Sequence, residues 1–439
     1  MTAEIAILNK SAVALAADSA VTVQTGGRPG KPKIYHSATK LFTLSKYEPV
    51  GVMIYGGVEL SGVPWETIIK DFRAQLGRKA FDRLEDYATA LIKHLDRPHH
   101  LITRKIQADY VYLISFMGFS YIKERVVQRA QQEIGKTDGI DDPRVSALAD
   151  ACAREELQRL LGETGLPHLP RNHPRTVVER YRKQIDQGIK DVFEELPLSP
   201  ACRSRLRRMI GNVFYRKWHP HPTGIVVAGF GREDTFPVLQ SFEIDCLVAD
   251  RLKYEDKGIT KIDAETNAVI VPFAQRDVVE TFVEGATREY IRRTEEYWTN
   301  QLRSFRETVV EALKPYLGDD LRRIQQALRK TTDGLMRTYL DTMGIWRRRA
   351  FVDPILDTVA SSPKTELPAI AEALVNLTAL KRRVASDEGE TVGGPIDVAI
   401  ISKSDGFIWI KRKHYFTQEL NPYFLANYFR EDKDGAESE

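Results

Sequence analysis

The sequence of 439 residues is poor in cysteine, with only Cys152, Cys202 and Cys246, which lie far apart and form no CxxC pair. An odd, sparse set of this kind builds no disulfide framework and is typical of a reducing compartment. No apolar run reaches the roughly 18 residues that a membrane helix needs, and the first residues lack the basic region of a signal peptide. We therefore expect a cytoplasmic protein without a membrane segment.

The sequence also has no large excess of positive or of negative charge. The chain carries 64 Lys and Arg side chains against 61 Asp and Glu, a formal net charge of +3, and this balance does not indicate nucleic-acid binding. Basic runs occur at 203–208, 347–349 and 411–413. The first two lie in stretches of helical pattern that also hold acids, which is typical of solvated faces. We expect neither a nucleic-acid nor a membrane partner.

The recognised motifs for metals and cofactors are also missing. HExxH and paired Cys/His ligands do not occur, and Gly229-Phe-Gly231 lacks the third glycine and the following helix of a dinucleotide fingerprint. His219 and His221 have no Cys or carboxylate at ligand spacing, so we interpret them as part of a loop before a strand. His99-His100 is interpreted as a loop in the same way. We expect no metal and no organic cofactor.

The sequence does have strand and helix patterns that alternate along the chain. Short strands with tight turns between them are predicted before Pro64, and helical spacing begins at that proline, which is tolerated in a first helical turn. Strands are predicted at 3–17, 40–44, 50–55, 224–230, 238–248, 267–271, 396–401 and 407–410. Helices are predicted from 64 to about 216, from 277 to about 313 and onward to about 384.

This order of strands, helices, strands, helices and strands indicates an α+β protein. Asp405-Gly406 is a strong hairpin signal between the last two strands. In the helix that begins at 277, the spacing places Val278, Phe282, Ala286 and Tyr290 on one face. Two sheets packed face to face with helices outside, a four-layer αββα sandwich, fit the order best.

Thr2 is the first candidate for chemistry. A hydroxyl is a poor nucleophile until a nearby base takes its proton. An N-terminal threonine brings such a base with it, because the free α-amine has a pKa of roughly 8, and this pairing is a known variant of triad logic. The mechanism requires removal of Met1, which is expected before a residue as small as threonine. Taken alone, Thr2 indicates little, since many proteins begin Met-Thr.

The context of Thr2 is more specific. Val13-Ala-Leu-Ala-Ala-Asp-Ser19 places an acidic residue at the end of an apolar strand, sixteen positions after Thr2. Here the sequence resembles the proteasome β-subunit family and its bacterial relatives, in which an N-terminal threonine starts one strand and a second strand ends in Ala-Ala-Asp-Ser. The resemblance implies that Asp18 is the catalytic aspartate and that the αββα sandwich is of the N-terminal-nucleophile hydrolase type.

The resemblance also implies a lysine and an oxyanion glycine. Lys40-Leu-Phe-Thr-Leu44 matches the pattern that opens the family's third strand, so Lys40 would be the catalytic lysine, although Lys33 is close to the family's usual distance from the threonine. A buried ammonium would lower the pKa of the threonine hydroxyl and amine, with Asp18 holding it in place. Gly56, at the end of the next strand, would donate its backbone N–H to the oxyanion.

The sequence departs from the family at supporting positions. The loop 391–394 looks like the family's Ser-Gly-Gly but has Val392 in the serine position, and the family's Gly-Ser-Gly falls near 272–275 without a serine. Groups of this kind hold catalytic geometry. The helical stretches are also much longer than in the family, with insertions expected at about 66–216 and 290–368 of a single domain, 1–430, followed by a polar tail, 431–439.

We therefore expect a threonine-type peptidase or amidase that uses Thr2, Asp18, Lys40 and Gly56. Its substrate would be a peptide or protein, and the resemblance implies a homo-oligomer. Whether an unfoldase or regulatory partner acts with it stays open. The alternative is a catalytically silent scaffold of the same fold that binds partners through its helical insertions. A third interpretation, a nucleic-acid or partner adaptor, depends on the basic helices alone.

Overall fold

The computed structural model describes residues 2–23, 33–137, 139–218, 222–317, 320–385, 393–414 and 416–423. The strands are β1 (Ala3–Asn9), β2 (Ala12–Ala17), β3 (Val21–Val23), β4 (Lys33–Tyr35), β5 (Leu41–Thr43), β6 (Val50–Gly56), β7 (Glu59–Leu60), β8 (Val63–Pro64), β9 (Thr223–Gly229), β10 (Val238–Val248), β11 (Arg251–Lys261), β12 (Ala268–Ala274), β13 (Asp397–Ser402) and β14 (Gly406–Lys411). The helices are α1 (Trp65–Leu76), α2 (Leu84–Leu95), α3 (Arg104–Thr137), α4 (Asp142–Gly162), α5 (His173–Arg180), α6 (Arg182–Phe193), α7 (Pro200–Val213), α8 (Arg276–Glu284), α9 (Arg288–Leu317), α10 (Leu321–Arg347), α11 (Asp353–Ser361) and α12 (Leu367–Ala385).

Two five-stranded antiparallel sheets form the centre of the protein. The first has the strand order β12-β1-β2-β13-β14 and the second the order β11-β10-β9-β6-β5. In the first sheet, Glu4 of β1 lies opposite Ala17 of β2, and β13, from the end of the chain, pairs with β2. The prediction of an α+β protein with antiparallel sheets is confirmed.

Side chains of the two sheets meet in one apolar cluster. Leu8 and Leu15 of the first sheet pack there with Met53 and Val226 of the second. Because side chains alternate between the faces of a strand, Ile7 of β1 points the other way, toward the helices that cover the outer face of the first sheet. A strand buried on both faces needs apolar residues at successive positions, which explains the nearly continuous apolar run of β1.

Helices cover the outer faces of both sheets. Trp65 of α1 and Leu91 of α2 belong to the cluster on the second sheet. Val279 of α8, Val359 of α11 and Val375 of α12 belong to the cluster on the first sheet. Within the described residues, no helix is both long enough and apolar enough to cross a lipid bilayer.

The predicted helical stretch 66–216 consists of two parts. Whereas α1 and α2 cover the second sheet, α3 to α7 pack around their own apolar cluster, in which Phe119 and Leu206 are buried. That cluster continues onto the end of β10 through Cys246 and Val248. Because α3 to α7 have this apolar cluster of their own, we call them the helical body beside the sheets. The single domain 1–430 stays a prediction.

The second helical stretch contains a hairpin of two long helices, α9 and α10. Trp298 and Tyr339 lie 6.1 Å apart between ring centroids across this hairpin. Much of its remaining apolar surface is open, because Tyr297, Phe305 and Trp346 are each more than half exposed. This surface is unusually apolar for two paired helices in water.

Two features of the fold differ from the sequence prediction. The helix expected from 277 to 313 ends at Gly285, whose left-handed φ of +72° closes α8 as glycine does at many helix ends. Phe282 and Tyr290 therefore belong to separate helices, and both are exposed. The strand β11 was not predicted, because its sequence RLKYEDKGITK is charged and exposed along an edge of the sheet.

Candidate active site

The candidate site lies where the strands β1, β2, β5 and β6 begin or end. Thr2 precedes β1, and Asp18 follows β2, so antiparallel pairing brings the two residues side by side. The backbone N–H of Asp18 donates to the Ala3 carbonyl at 3.1 Å, and the Ala3 N–H donates to Asp18 Oδ1 at 3.2 Å. The facing sheet brings in Lys40, just before β5, and Gly56, at the end of β6. The structure thus brings together all four residues named from the sequence.

Lys40 is buried between two carboxylates. Its Nζ atom contacts Asp18 Oδ1 and lies 2.9 Å from Glu4 Oε1, and all three side chains are at most 1% exposed. A buried charge is tolerated only when it is paired and hydrogen-bonded. The ammonium therefore holds the two acids in place, and they hold it in turn. The side chain of Lys33, the alternative lysine, lies outside the described residues.

Glu4 is a member of the site that the sequence analysis missed. The pKa of its carboxyl is raised from 4.5 to about 7, because burial outweighs the lowering by Lys40 and the neighbouring Asp18 carboxylate adds to the rise. The available signal was a single acid within the apolar strand AEIAILN, which by itself indicates no chemical role. A carboxyl group with a pKa near neutrality can accept and return a proton at physiological pH.

The Thr2 hydroxyl lies between an acceptor and a donor. Thr2 Oγ1 donates to Glu4 Oε2 at 3.1 Å, and the Gly56 backbone N–H donates to Thr2 Oγ1 at 3.3 Å. A nucleophile needs a group that takes its proton, and a reacting carbonyl needs an N–H that stabilises the oxyanion. The structure provides both kinds of group within hydrogen-bonding distance of the Thr2 hydroxyl.

Asp18 is held mainly by backbone groups. Besides Lys40 and the Ala3 N–H, its Oδ2 accepts a hydrogen bond from the Gly393 N–H at 3.0 Å. The neighbouring Ser19 hydroxyl donates to the Pro395 carbonyl. The serine expected in the loop 391–394 is Val392, which lies outside the described residues together with Thr391. The glycine that follows them reaches Asp18 through its backbone, a contact that residue types alone do not reveal.

Gly56 has a conformation that favours glycine. Its φ is +77°, and a Cβ atom at this position would lie 3.0 Å from the Pro222 carbonyl oxygen. A left-handed φ is strained for residues with a side chain. The backbone turn that directs the Gly56 N–H toward Thr2 therefore depends on the absence of a side chain.

A cleft of about 630 Å³ begins at this glycine. Gly56, Gly57 and Val21 line one side, and Leu113 and Met117 of α3 line the other. Both α3 side chains are more than 40% exposed, so the cleft has an apolar wall that belongs to the helical body. Thr2 itself is only 3% exposed, and a substrate would reach it from the Gly56 end of the cleft.

The comparisons with known proteins do not assign a family. No family model matches the sequence, and no curated protein matches it. Among solved structures, the chain is similar to one described as the helical assembly of the Anbu complex from Pseudomonas aeruginosa, with 9% identity over 97% of this chain and 93% of that chain. The TM-score is 0.28, which is too low to support an argument about fold or function.

The assignment to the proteasome β-subunit family is therefore wrong. It depended on short matches, namely a strand of small residues that ends in Asp18-Ser19, the segment Lys40-Leu-Phe-Thr-Leu44 and the strand-end glycine Gly56. Acids, serines and glycines are favoured at turns for reasons of backbone geometry, so such matches do not show a family. The chemistry of the site is therefore inferred from the contacts of Thr2, Glu4, Asp18 and Lys40.

Proposed function

We propose that the protein is a threonine-type peptidase or amidase in which Thr2, made N-terminal by removal of Met1, is the nucleophile. One observation carries the proposal. The Thr2 hydroxyl lies 3.1 Å from a carboxylate oxygen of Glu4 and 3.3 Å from the backbone N–H of Gly56. The proposal includes the finer fold, a four-layer αββα sandwich of the N-terminal-nucleophile type.

The first half of the reaction forms an ester. Thr2 Oγ1 attacks the carbonyl carbon of an amide, and its proton passes to the α-amine or to Glu4 Oε2. The Gly56 N–H stabilises the negative charge that develops on the carbonyl oxygen. When the C–N bond breaks, the same proton goes to the leaving amine. The acyl group stays on Thr2.

The second half reverses the roles. A water molecule attacks the ester carbon and gives a proton to the base, which returns it to Thr2 Oγ1 as the acid product leaves. Lys40 and Asp18 take no proton in this scheme. Lys40 stabilises negative charge close to Thr2, and Asp18 fixes the position of the ammonium. The cleft between Gly56 and α3 would hold the substrate, whose apolar side chains fit the wall formed by Leu113 and Met117.

A homo-oligomer is part of the proposal. The exposed aromatic side chains of the α9–α10 hairpin, including Tyr297, Phe305 and Trp346, are of the kind that proteins bury against a partner. A second copy, or an unfoldase or regulatory partner, would cover them. The cytoplasmic location expected from the cysteine content stays a prediction.

Labelling of the N-terminus tests the proposed nucleophile. Purified protein is treated with a peptide epoxyketone, which reacts with an N-terminal threonine, and its intact mass and N-terminal sequence are determined. We expect loss of Met1 and one adduct on Thr2. Thr2→Val should abolish the adduct, whereas Thr22→Val, a change at another threonine near the N-terminus, should not. Retained Met1, or a free Thr2 that never reacts, would contradict the mechanism.

The second candidate function is partner binding without catalysis. A cleft of about 560 Å³ in the helical body is lined by Arg171, Arg175, Arg182, Arg207, Arg208 and Arg216, with Glu179 as the acid among its lining residues. Arg175 pairs with Glu179 at 2.6 Å, and positive charge remains in excess. The excess of positive charge favours an acidic partner. If Thr2 does not react and the protein binds an acidic partner in a salt-sensitive way, a catalytically silent scaffold would be the better assignment.

A further inference from the structure

A cluster of histidine and aspartate side chains lies between α1 and the end of α2 and includes none of the residues of the Thr2 site. Asp71 is on α1, His94 is in the last turn of α2, and His99 and His100 follow in the connection to α3. His94 and His99 are buried. The sequence predicts only a loop at His99-His100, because nothing in the spacing indicates that Asp71 lies beside them.

Three atoms of this cluster converge on one point. His94 Nε2 lies 2.9 Å from His99 Nε2 and 3.2 Å from Asp71 Oδ2, and His99 Nε2 lies 3.8 Å from the same oxygen. A circle through three points with these separations has a radius of about 2 Å, the Zn–N and Zn–O bond length in proteins. An ion at the centre of that circle would lie at bonding distance from all three atoms.

We propose that Asp71, His94 and His99 bind a transition-metal ion of the Zn²⁺ class. Two imidazoles and one carboxylate suit zinc and its neighbours, whereas Ca²⁺ and Mg²⁺ take oxygen ligands. His100 Nε2 lies 3.2 Å from the other oxygen of Asp71, the kind of outer contact that orients a metal-binding carboxylate. His100 is 61% exposed and Asp71 is 22% exposed, so the carboxylate side of the site is the side nearest to solvent.

The alternative is a hydrogen-bonded network without a metal, and its proton positions conflict. A neutral imidazole has one donor and one acceptor nitrogen. His94 Nδ1 lies 3.0 Å from an Arg97 nitrogen, and His99 Nδ1 lies 3.2 Å from the Leu101 backbone N, and both of these neighbours can only donate. If both δ nitrogens accept, both Nε2 atoms carry hydrogens that face each other across 2.9 Å.

Metal binding removes that conflict, because both Nε2 atoms then bind the ion and carry no hydrogen. The hydrogens move to the two Nδ1 atoms, which then face the donors of Arg97 and Leu101. The Arg97 nitrogen beside His94 Nδ1 would have to shift toward Gln75 Oε1, to which it already donates at 3.1 Å, while the bond to the His94 carbonyl at 3.1 Å is kept. The hydrogen bond from the Leu101 N–H to His99 Nδ1 at 3.2 Å would also have to open, which requires a small movement of the His99 ring or of the Leu101 backbone. The bound ion would join α1 to the connection that leads into α3 and so fix the wall of the cleft.

Zn²⁺ titration of the full-length protein tests the site. Protein stripped with a chelator is titrated with Zn²⁺ in competition with a chromophoric chelator, and Co²⁺ is added separately to record its visible spectrum. We expect one ion per chain and a visible spectrum typical of Co²⁺ with a low coordination number and nitrogen and oxygen ligands. Asp71→Asn should weaken Zn²⁺ binding at least tenfold, while Asp86→Asn, at an exposed acid on α2, should leave it unchanged.

A second readout separates loss of metal binding from loss of folding. Zn²⁺ should raise the thermal midpoint of the wild-type protein and of Asp86→Asn but not that of Asp71→Asn, with circular dichroism showing that all three are folded. His94→Asn gives the same test within the buried pair. Absence of stoichiometric binding by the wild-type protein, or equal affinity of the two aspartate variants, would overturn the proposal. Neither result depends on the reactivity of Thr2.

Discussion

Replacement of Glu4 by glutamine separates the burial of a side chain from the burial of a charge. Burial raises the pKa of Glu4 from 4.5 to about 7. Because the folded pKa lies above the unfolded one, the folded protein binds more protons in this interval. The stabilising protonation is complete below about pH 4.5 and is lost as the pH rises through 7. The interval corresponds to about 3 kcal/mol of unfolding free energy.

Urea unfolding at several pH values measures this contribution. Between about pH 5 and about pH 8.5 the wild-type protein should lose about 2–3 kcal/mol more than Glu4→Gln, which has no carboxyl to titrate. Glu66→Gln is the matched control, because Glu66 is exposed and forms a surface pair with Lys70 one turn away. It should follow the wild type. Parallel curves for wild type and Glu4→Gln would refute the argument that burial controls this carboxyl.

The same variant identifies the base for Thr2. If Glu4 takes the hydroxyl proton, kcat/KM of the wild type should rise with pH through about 7, and Glu4→Gln should lose both this limb and most of its activity. If the α-amine is the base, the variant should keep the limb, displaced toward the pKa of the amine. Glutamine keeps the size of the side chain and a hydrogen-bond acceptor for Thr2, so the comparison isolates proton transfer.

Three further predictions concern Lys40, Gly56 and Arg97. Lys40→Met leaves two buried carboxylates without a cation and should cost about 3–5 kcal/mol of unfolding free energy, whereas exposed Lys70→Met should cost less than about 1 kcal/mol; equal losses in urea unfolding would contradict the buried pairing. Gly56→Ala should lower the free energy of unfolding by about 1–2 kcal/mol, because of the φ of +77°, and should also slow adduct formation on Thr2. The control Gly258→Ala, where φ is +100° and the space around the residue is open, should lower stability without changing the rate of adduct formation. Arg97→Gln should tighten Zn²⁺ binding in the chelator competition, since a cation beside His94 is removed, and weaker binding would contradict that arrangement.

Thr2, Asp18 and Lys40 were named together from the resemblance to the proteasome β-subunit family, an assignment that is wrong. In the structure they meet because each lies at the end of a strand. Antiparallel pairing between neighbouring strands fixes which ends meet, so one turn at Asn9-Lys10 determines that Asp18 returns to Thr2. The final hairpin was predicted separately, from the turn signal Asp405-Gly406, and the structure has it between β13 and β14. The sequence pattern did not predict β11, since an exposed edge strand needs no apolar alternation to pair through its backbone.

The contacts that the sequence did not predict are made between elements far apart in the chain. Glu4 could be read only as an acid in an apolar strand, because its importance comes from an ammonium 36 positions away on the other sheet. Gly393 reaches Asp18 through a backbone N–H, which leaves no trace in residue types. Asp71 and His99 are brought together by the crossing of two helices over a sheet, where no spacing rule applies.

This difference explains why the two sites depend on different evidence. The cluster around Thr2 combines residues whose meeting follows from local pairing with one acid, Glu4, whose pKa follows from burial in the finished fold. A sequence can indicate the first group, but desolvation depends on every layer above and below the carboxyl. The Asp71–His94–His99 cluster depends wholly on how α1 and α2 pack against the second sheet. Its metal affinity is therefore expected to respond to mutations in that packing as well as to mutations of the ligands themselves.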